Sequence, residues 1–328
     1  MNPSLVEILA CPTCDAALSL EAREMNGSRV RTGTLTCASG HRFPIERHIP
    51  RFVAAEQYAA NFGMQWNRFK RTQLDCYNGT TISRDRFRLV TGWHEGSLAG
   101  LRVLDAGCGA GRFAQVALED GAEVIAIDLS SAVDACVDNL ADRYPRLQVV
   151  QASIYELPFR EGTFDRIYSI GVLQHTPDVG AAVKALPRFL KPGGKLAYWI
   201  YEKKLVSLLM PRYPMRVITK RMAQGKLFAL LERWVPTLLK LSNAAAKVPL
   251  VGPYLRKLVP VANYTGTLPL NETQIREWAL LDTFDWLAPA YDQPQTYATV
   301  SAWLSEAGCK NIVRLPGRRI GLPVSAER

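Results

Sequence analysis

The feature that most limits what this 328-residue chain can fold into is a series of short apolar runs alternating with helical patterns. It opens with "RVLDAGCGAGRFA" at residues 102–114. LRVLDA, EVIAID, LQVVQA, FDRIYSI and KLAYWIY are β-type runs, separated by stretches of helical spacing. Strands joined through helices lie parallel, so residues 101–201 predict an α/β domain built on a parallel sheet. The first run leads straight into Gly107, Gly109 and Gly111. Glycines placed like this mark a backbone that turns sharply or lets another group come close. Where a strand hands over to a helix, unpaired N–H groups and the helix dipole favour a carboxylate or phosphate. A dinucleotide loop has the spacing G-x-G-x-x-G, which this is not. Asp105, two residues before the first glycine, is awkward beside a pyrophosphate and useful beside an ammonium. The pattern points to a ligand carrying both charges, such as an amino acid.

The second run ends in Asp128, where a carboxylate can accept from both hydroxyls of a ribose. The structural alternative for Asp128 is a helix N-cap, a role that Ser130 or Ser131 could also fill.

With these features in place, residues 101–201 resemble the core of the class I S-adenosylmethionine-dependent methyltransferases. The resemblance rests on VLDAGCGAG, the acid after the second strand, LPFREGTFDRIYSIGVLQHTPD and LKPGGKLAYWIY, in that order. It implies a Rossmann-like seven-stranded sheet whose last strand is antiparallel, with the cofactor across the carboxyl ends of the first strands. Asp105, Gly107, Gly109 and Gly111 would hold the methionine part, Asp128 the ribose, and Ser153 with Ile154 the adenine edge. Ser153 departs from the aspartate that many relatives carry there. His175, in SIGVLQHTPD, looks like the LxH of the small-molecule branch; a general base and a structural or lid residue both stand as readings. Trp199 and Tyr201, at the end of the fifth strand, are acceptor-pocket candidates or core aromatics. Asp282, Asp285, Trp286 and Tyr291 either reach that pocket from above or brace a cap.

Ahead of this core, Cys11-x2-Cys14 and Cys37-x3-His41 flank a hairpin-length spacer and suit one structural zinc ion with four ligands. The stretch is similar to the short zinc-binding ribbon that precedes some methyltransferase domains, where a glycine often stands in place of His48. The other four cysteines are scattered, and an odd total of seven fits a reducing, cytoplasmic setting. There is no cationic leader followed by an apolar stretch, and no apolar run of about 18 residues to span a membrane.

The chain divides into a ribbon-like segment (1–53), a helical linker or lid (54–100) and the core (101–201). A basic helical cap insertion (202–290) and C-terminal elements that complete the sheet (291–328) follow. Residues 203–262 hold twelve Lys or Arg against one acid, so the formal excess of +10 belongs to this segment. The cap is expected to have a solvated basic face, or to meet an anionic lipid surface or an acidic substrate.

The acceptor is read as a small molecule, lipid-, quinone- or sugar-linked, with methylation on oxygen favoured. The alternative is ring-nitrogen methylation of guanine in ribosomal RNA, suggested by a zinc ribbon ahead of this fold. A methyltransferase-like binding protein without activity is the third reading. Against RNA, the fourth strand ends in SIGVLQH rather than [DN]-P-P-[YF], and the cationic segment is rich in Leu and Val.

Overall fold

The computed structural model describes residues 1–53, 59–204, 210–316 and 321–328. Parts of the helical reading at 203–210, of the final strand reading from 318 and of the linker at 54–58 lie outside the described residues.

Strands β1 (Leu18–Asn26), β2 (Arg29–Cys37), β3 (Arg42–Glu46) and β4 (Ile49–Pro50) form an antiparallel sheet in sequential order. The β3–β4 turn puts Arg47 at φ 51° and His48 at φ 70°. Both are left-handed, as a tight two-residue hairpin requires, which explains why glycine suits position 48. His48 holds the conformation by donating from its Nδ1 to the Val30 carbonyl at 2.9 Å. This small sheet shares a core with the larger one: Leu9, Leu35 and Ile45 pack in one cluster with Val150 and Phe159.

The larger sheet contains β5 (Arg102–Ala106), β6 (Glu123–Asp128), β7 (Leu147–Gln151), β8 (Phe164–Ile170), β9 (Leu190–Ile200), β10 (Lys310–Arg314) and β11 (Leu322–Glu327). Its order is β10-β11-β9-β8-β5-β6-β7. β5 to β9 run parallel, and β11 is antiparallel to both β9 and β10. This is the expected seven-stranded sheet with an antiparallel last strand. Alternation along the strands sends Val103, Val124 and Ala126 to one core and Leu104, Ile125 and Ile127 to the other. Both faces are therefore buried, as in a parallel sheet covered by helices.

Helices α1 (Ala60–Arg68), α2 (Asp75–Asn78) and α3 (Ile82–Thr91) precede the sheet; α4 (Arg112–Glu119), α5 (Ala132–Leu140) and α6 (Val179–Ala185) lie within it. The cap has α7 (Arg212–Thr219), α8 (Gln224–Ala246), α9 (Gly252–Leu258) and α10 (Glu272–Leu287), and α11 (Tyr297–Glu306) follows. The cap has its own apolar cluster of Leu227, Leu231, Val235, Leu239, Phe284 and Leu287. A capping box between Asn271 and Gln274 starts α10. α1 lies against both α5 and α10, so it roofs the carboxyl ends of the strands. No helix among the described residues is long and apolar enough to cross a membrane.

Candidate functional site

The strand order reverses between β5 and β8, and an open α/β sheet leaves a crevice at such a point beyond the strand ends. The loops after these two strands meet there. Gly107 has φ 93°, and a Cβ on it would stand 2.4 Å from the Val172 side chain. At Gly111, with φ 91°, a Cβ would meet Leu140 at 2.6 Å. Side chains are excluded at both positions by backbone conformation and by space. Gly109 lies under the indole of Trp66 from α1.

The two acids flank this loop. Asp128 accepts from the Gly109 amide at 3.0 Å with one carboxylate oxygen. The other accepts from the Ser130 amide at 2.9 Å and the Ser130 hydroxyl at 2.7 Å. The Ser130 hydroxyl in turn accepts from the Ala132 amide at the start of α5, so Ser130 serves the helix and Asp128 faces the loop. Asp105 is only 2% exposed and is the cross-strand partner of Tyr168. Burial raises its pKa to about 8, against the favourable influence of the Tyr168 phenol. Its Oδ2 has no hydrogen-bond partner. A buried, unsatisfied carboxyl oxygen beneath a cradle of bare main chain fits the ammonium end of an amino acid.

His175 sits in a single 3₁₀ turn, Leu173–His175, just after β8, and is 5% exposed. Its Nδ1 is 2.9 Å from the Tyr291 carbonyl, which can only accept, so the proton is on Nδ1. Nε2 is then a bare lone pair, and it is buried without a partner. The ring lies between Phe62 of α1 (centroids 5.3 Å) and Tyr201 (5.5 Å, edge-on). Asp285 of α10 is half-buried, its pKa raised by burial, and it would be lowered by a positive charge on His175. Around these groups Asn61, Gln65 and Gln174 are at most 2% exposed, and each has a side-chain polar atom without a partner. Buried amides normally find partners, so this concentration marks a polar chamber shaped for something other than the protein. Two adjoining cavities of about 290 and 180 Å³ lie beside it, one lined by Tyr291 and Asp292 and the other reaching Asn61.

The remaining candidates divide. Trp199 is 9% exposed and forms a wall, stacked under Arg86 at 4.3 Å and edge-on to Tyr201. Tyr291 contributes its carbonyl and is otherwise an exposed residue, 37% accessible. Asp282 bonds Tyr264 and Gln73, bracing the cap against the linker. Ser153 accepts from the Tyr155 amide at 3.2 Å, so its hydroxyl is engaged in its own turn, next to Ile154.

In the small sheet, Cys11, Cys14, Cys37 and His41 bring three sulfurs and Nδ1 within 4.8 Å of one another. Cys14 and Cys37 sulfurs are 3.8 Å apart, and His41 Nδ1 is 3.3 to 3.7 Å from the three sulfurs. Ligands on a tetrahedral zinc at about 2.0–2.3 Å stand roughly 3.5–3.8 Å apart, so the set fits that ion.

Residues 104–198 match a family described as a methyltransferase domain. Over those residues the core carries a methyltransferase domain. A ubiquinone biosynthesis O-methyltransferase of Xylella fastidiosa is 32% identical over 142 residues, covering 40% of this chain and 56% of its own. The protein of the same name from Xanthomonas oryzae is 42% identical over 103 residues, covering 30% and 42%. The chain thus spans about half the length of the curated relatives it matches. Among solved structures, magnesium protoporphyrin IX methyltransferase of Synechocystis is 15% identical with a TM-score of 0.44, covering 83% and 97%.

Several residues of the candidate site escaped sequence reading, chiefly Asn61, Gln65, Trp66 and Gln174. The available signal was on α1: Asn61 and Gln65 are one turn apart, so the buried side of that helix is polar. The raised pKa of Asp105 makes a separate prediction. An unfolded aspartate loses its proton near 3.8 and the folded one near 8, so the unfolded state binds fewer protons in between. Stability therefore falls as pH rises across that window. Asp105→Asn should melt higher than wild type at pH 8, by at least ~2 °C, with a smaller gain at pH 5. It should also bind S-adenosylhomocysteine about tenfold more weakly, because the charge-assisted contact is lost. A variant that melts lower at pH 8 would show that the carboxyl is structural.

Proposed function

We propose that the chain transfers a methyl group from S-adenosylmethionine to a hydroxyl of a small-molecule acceptor, with His175 as general base. The observation that carries this reading is the imidazole tautomer: Nδ1 is committed to the Tyr291 carbonyl, and Nε2 is a buried, unpartnered acceptor in the crevice. When bound, the cofactor supplies a methyl carbon already activated by a positive sulfur. The loop amides and Asp105 would hold its amino-acid end, Asp128 its ribose, and the Ser153–Ile154 turn its adenine edge. His175 takes the proton as the acceptor oxygen bonds to carbon, and Asp285 favours the imidazolium that forms. Phe62, Tyr201 and Trp199 give the chamber flat apolar walls suited to an aromatic ring, while α1 and α10 keep water out. A quinone-like hydroxyl is the acceptor class best supported, by these walls and by the names of the relatives.

The test is incubation with a methyl-tritiated donor and, separately, an extract of small hydroxylated metabolites or ribosomal RNA. Label in an organic-soluble methyl ether is the expected result, and label in RNA would overturn the reading.

We also propose that the Cys3His set holds a structural zinc ion; four protein ligands leave no open position for chemistry. Cys14→Ser should reduce bound zinc from about one equivalent to well below half and lower the melting temperature. Unaltered zinc content, measured by plasma mass spectrometry, would remove the assignment.

A further inference from the structure

Of the fifteen large apolar side chains that stand exposed among the described residues, ten fall between Val217 and Leu258. Three of them, Leu230, Trp234 and Leu241, lie on α8, which is thereby apolar on two sides, and Val248 continues their line just past its end. Leu227, Leu231, Val235 and Leu239 face the cap core. Leu230, Trp234, Leu241 and Val248 form a second line, spaced by four and seven residues and 41 to 56% exposed. The line runs on into the turn, where Leu250 is 96% exposed with φ 64°. Lys226, Arg233, Lys240 and Lys247 recur every seven residues along one edge of it. A seven-residue repeat drifts only about 20° around a helix, so the four cations form a row. All four are exposed, and none makes an ion pair among the described residues. The one acid of α8, Glu232, is taken up by Arg68 at 3.0 Å.

We propose that this face of α8 and the turn after it dock on an anionic lipid bilayer. An apolar line with Trp and Leu, flanked by a row of free cations, is the arrangement that sinks into the headgroup boundary and meets negative lipid. A second copy of the chain is a poorer occupant. Joining two such lines would bring unpaired cations to the seam with no acid to meet them. The proposal does not depend on the acceptor, since the row and the line lie on the outer side of the cap.

The test is co-sedimentation of the full chain with vesicles of phosphatidylcholine alone or mixed with phosphatidylglycerol, at about 0.15 M salt. Wild type should partition onto the mixed vesicles at least about tenfold better, because each cation near a charged bilayer adds roughly a factor of five. Lys226→Glu/Arg233→Glu/Lys240→Glu should lose that advantage, and so should Leu230→Ser/Trp234→Ser/Leu241→Ser. Both variants should keep wild-type circular dichroism and S-adenosylhomocysteine affinity. Equal partition of wild type on the two vesicle types would overturn the proposal. So would binding unaffected by both variants, a dimer that the apolar variant dissociates without any vesicle binding, or retention on RNA in place of vesicles.

Discussion

His175→Ala should lower kcat by about 10²–10⁴-fold while leaving the affinity for S-adenosylhomocysteine within a factor of two or three. The separation follows from position. His175 belongs to the loop after β8 and points its free Nε2 at the chamber, whereas the cradle is built after β5 and β6. A histidine that merely propped up the lid would affect both quantities. Added imidazole sharpens the distinction. It can occupy the space left by the ring, bounded by Phe62 and Tyr201, and restore part of the rate without changing KM for the donor. No rescue, together with weakened cofactor binding, would assign His175 to the lid and remove the base from the mechanism.

Asp128→Ala should weaken S-adenosylhomocysteine binding by at least about 100-fold, with the fold retained. Two hydrogen bonds from ribose hydroxyls to a carboxylate are together worth roughly 3 kcal/mol or more, which sets that factor. A second contribution adds to it. The same carboxylate holds the Gly109 amide and the Ser130 turn, so its removal also slackens the loop that cradles the other end of the ligand. Asp128→Asn separates the two: its side-chain oxygen can keep one loop contact, so it should fall between wild type and alanine. Calorimetry reads the affinity, and thermal melting checks the fold. An affinity unchanged in Asp128→Ala would refute the ribose assignment.

What could be read along the chain was local and periodic. The β5 to β9 strands, the helices between them and the turn at Gly107–Gly111 follow from short-range rules: alternation, helical spacing and the space a Cβ needs. The Cys and His pairs of the small sheet were legible for the same reason, because a hairpin brings its two ends together. The turn at His48 shows the limit: its left-handed backbone was foreshadowed only as a difference from glycine, and the Val30 carbonyl that holds it comes from another strand.

The sequence by itself determined the run of strands from β5 to β9, the helices between them and the residue types at the bend after β5, since each depends on neighbours a few positions away. The order of the strands in the sheet rests on pairings such as Val103 with Arg166. The tertiary structure alone decided which nitrogen of His175 carries the proton, because its partner is a carbonyl 116 residues further on. It also decided that Asn61 and Gln65 face inward and that Asp105 is shut away from water, since burial depends on elements distant in sequence. Chemistry at this site resides in those long-range pairings, where spacing along a chain carries no information.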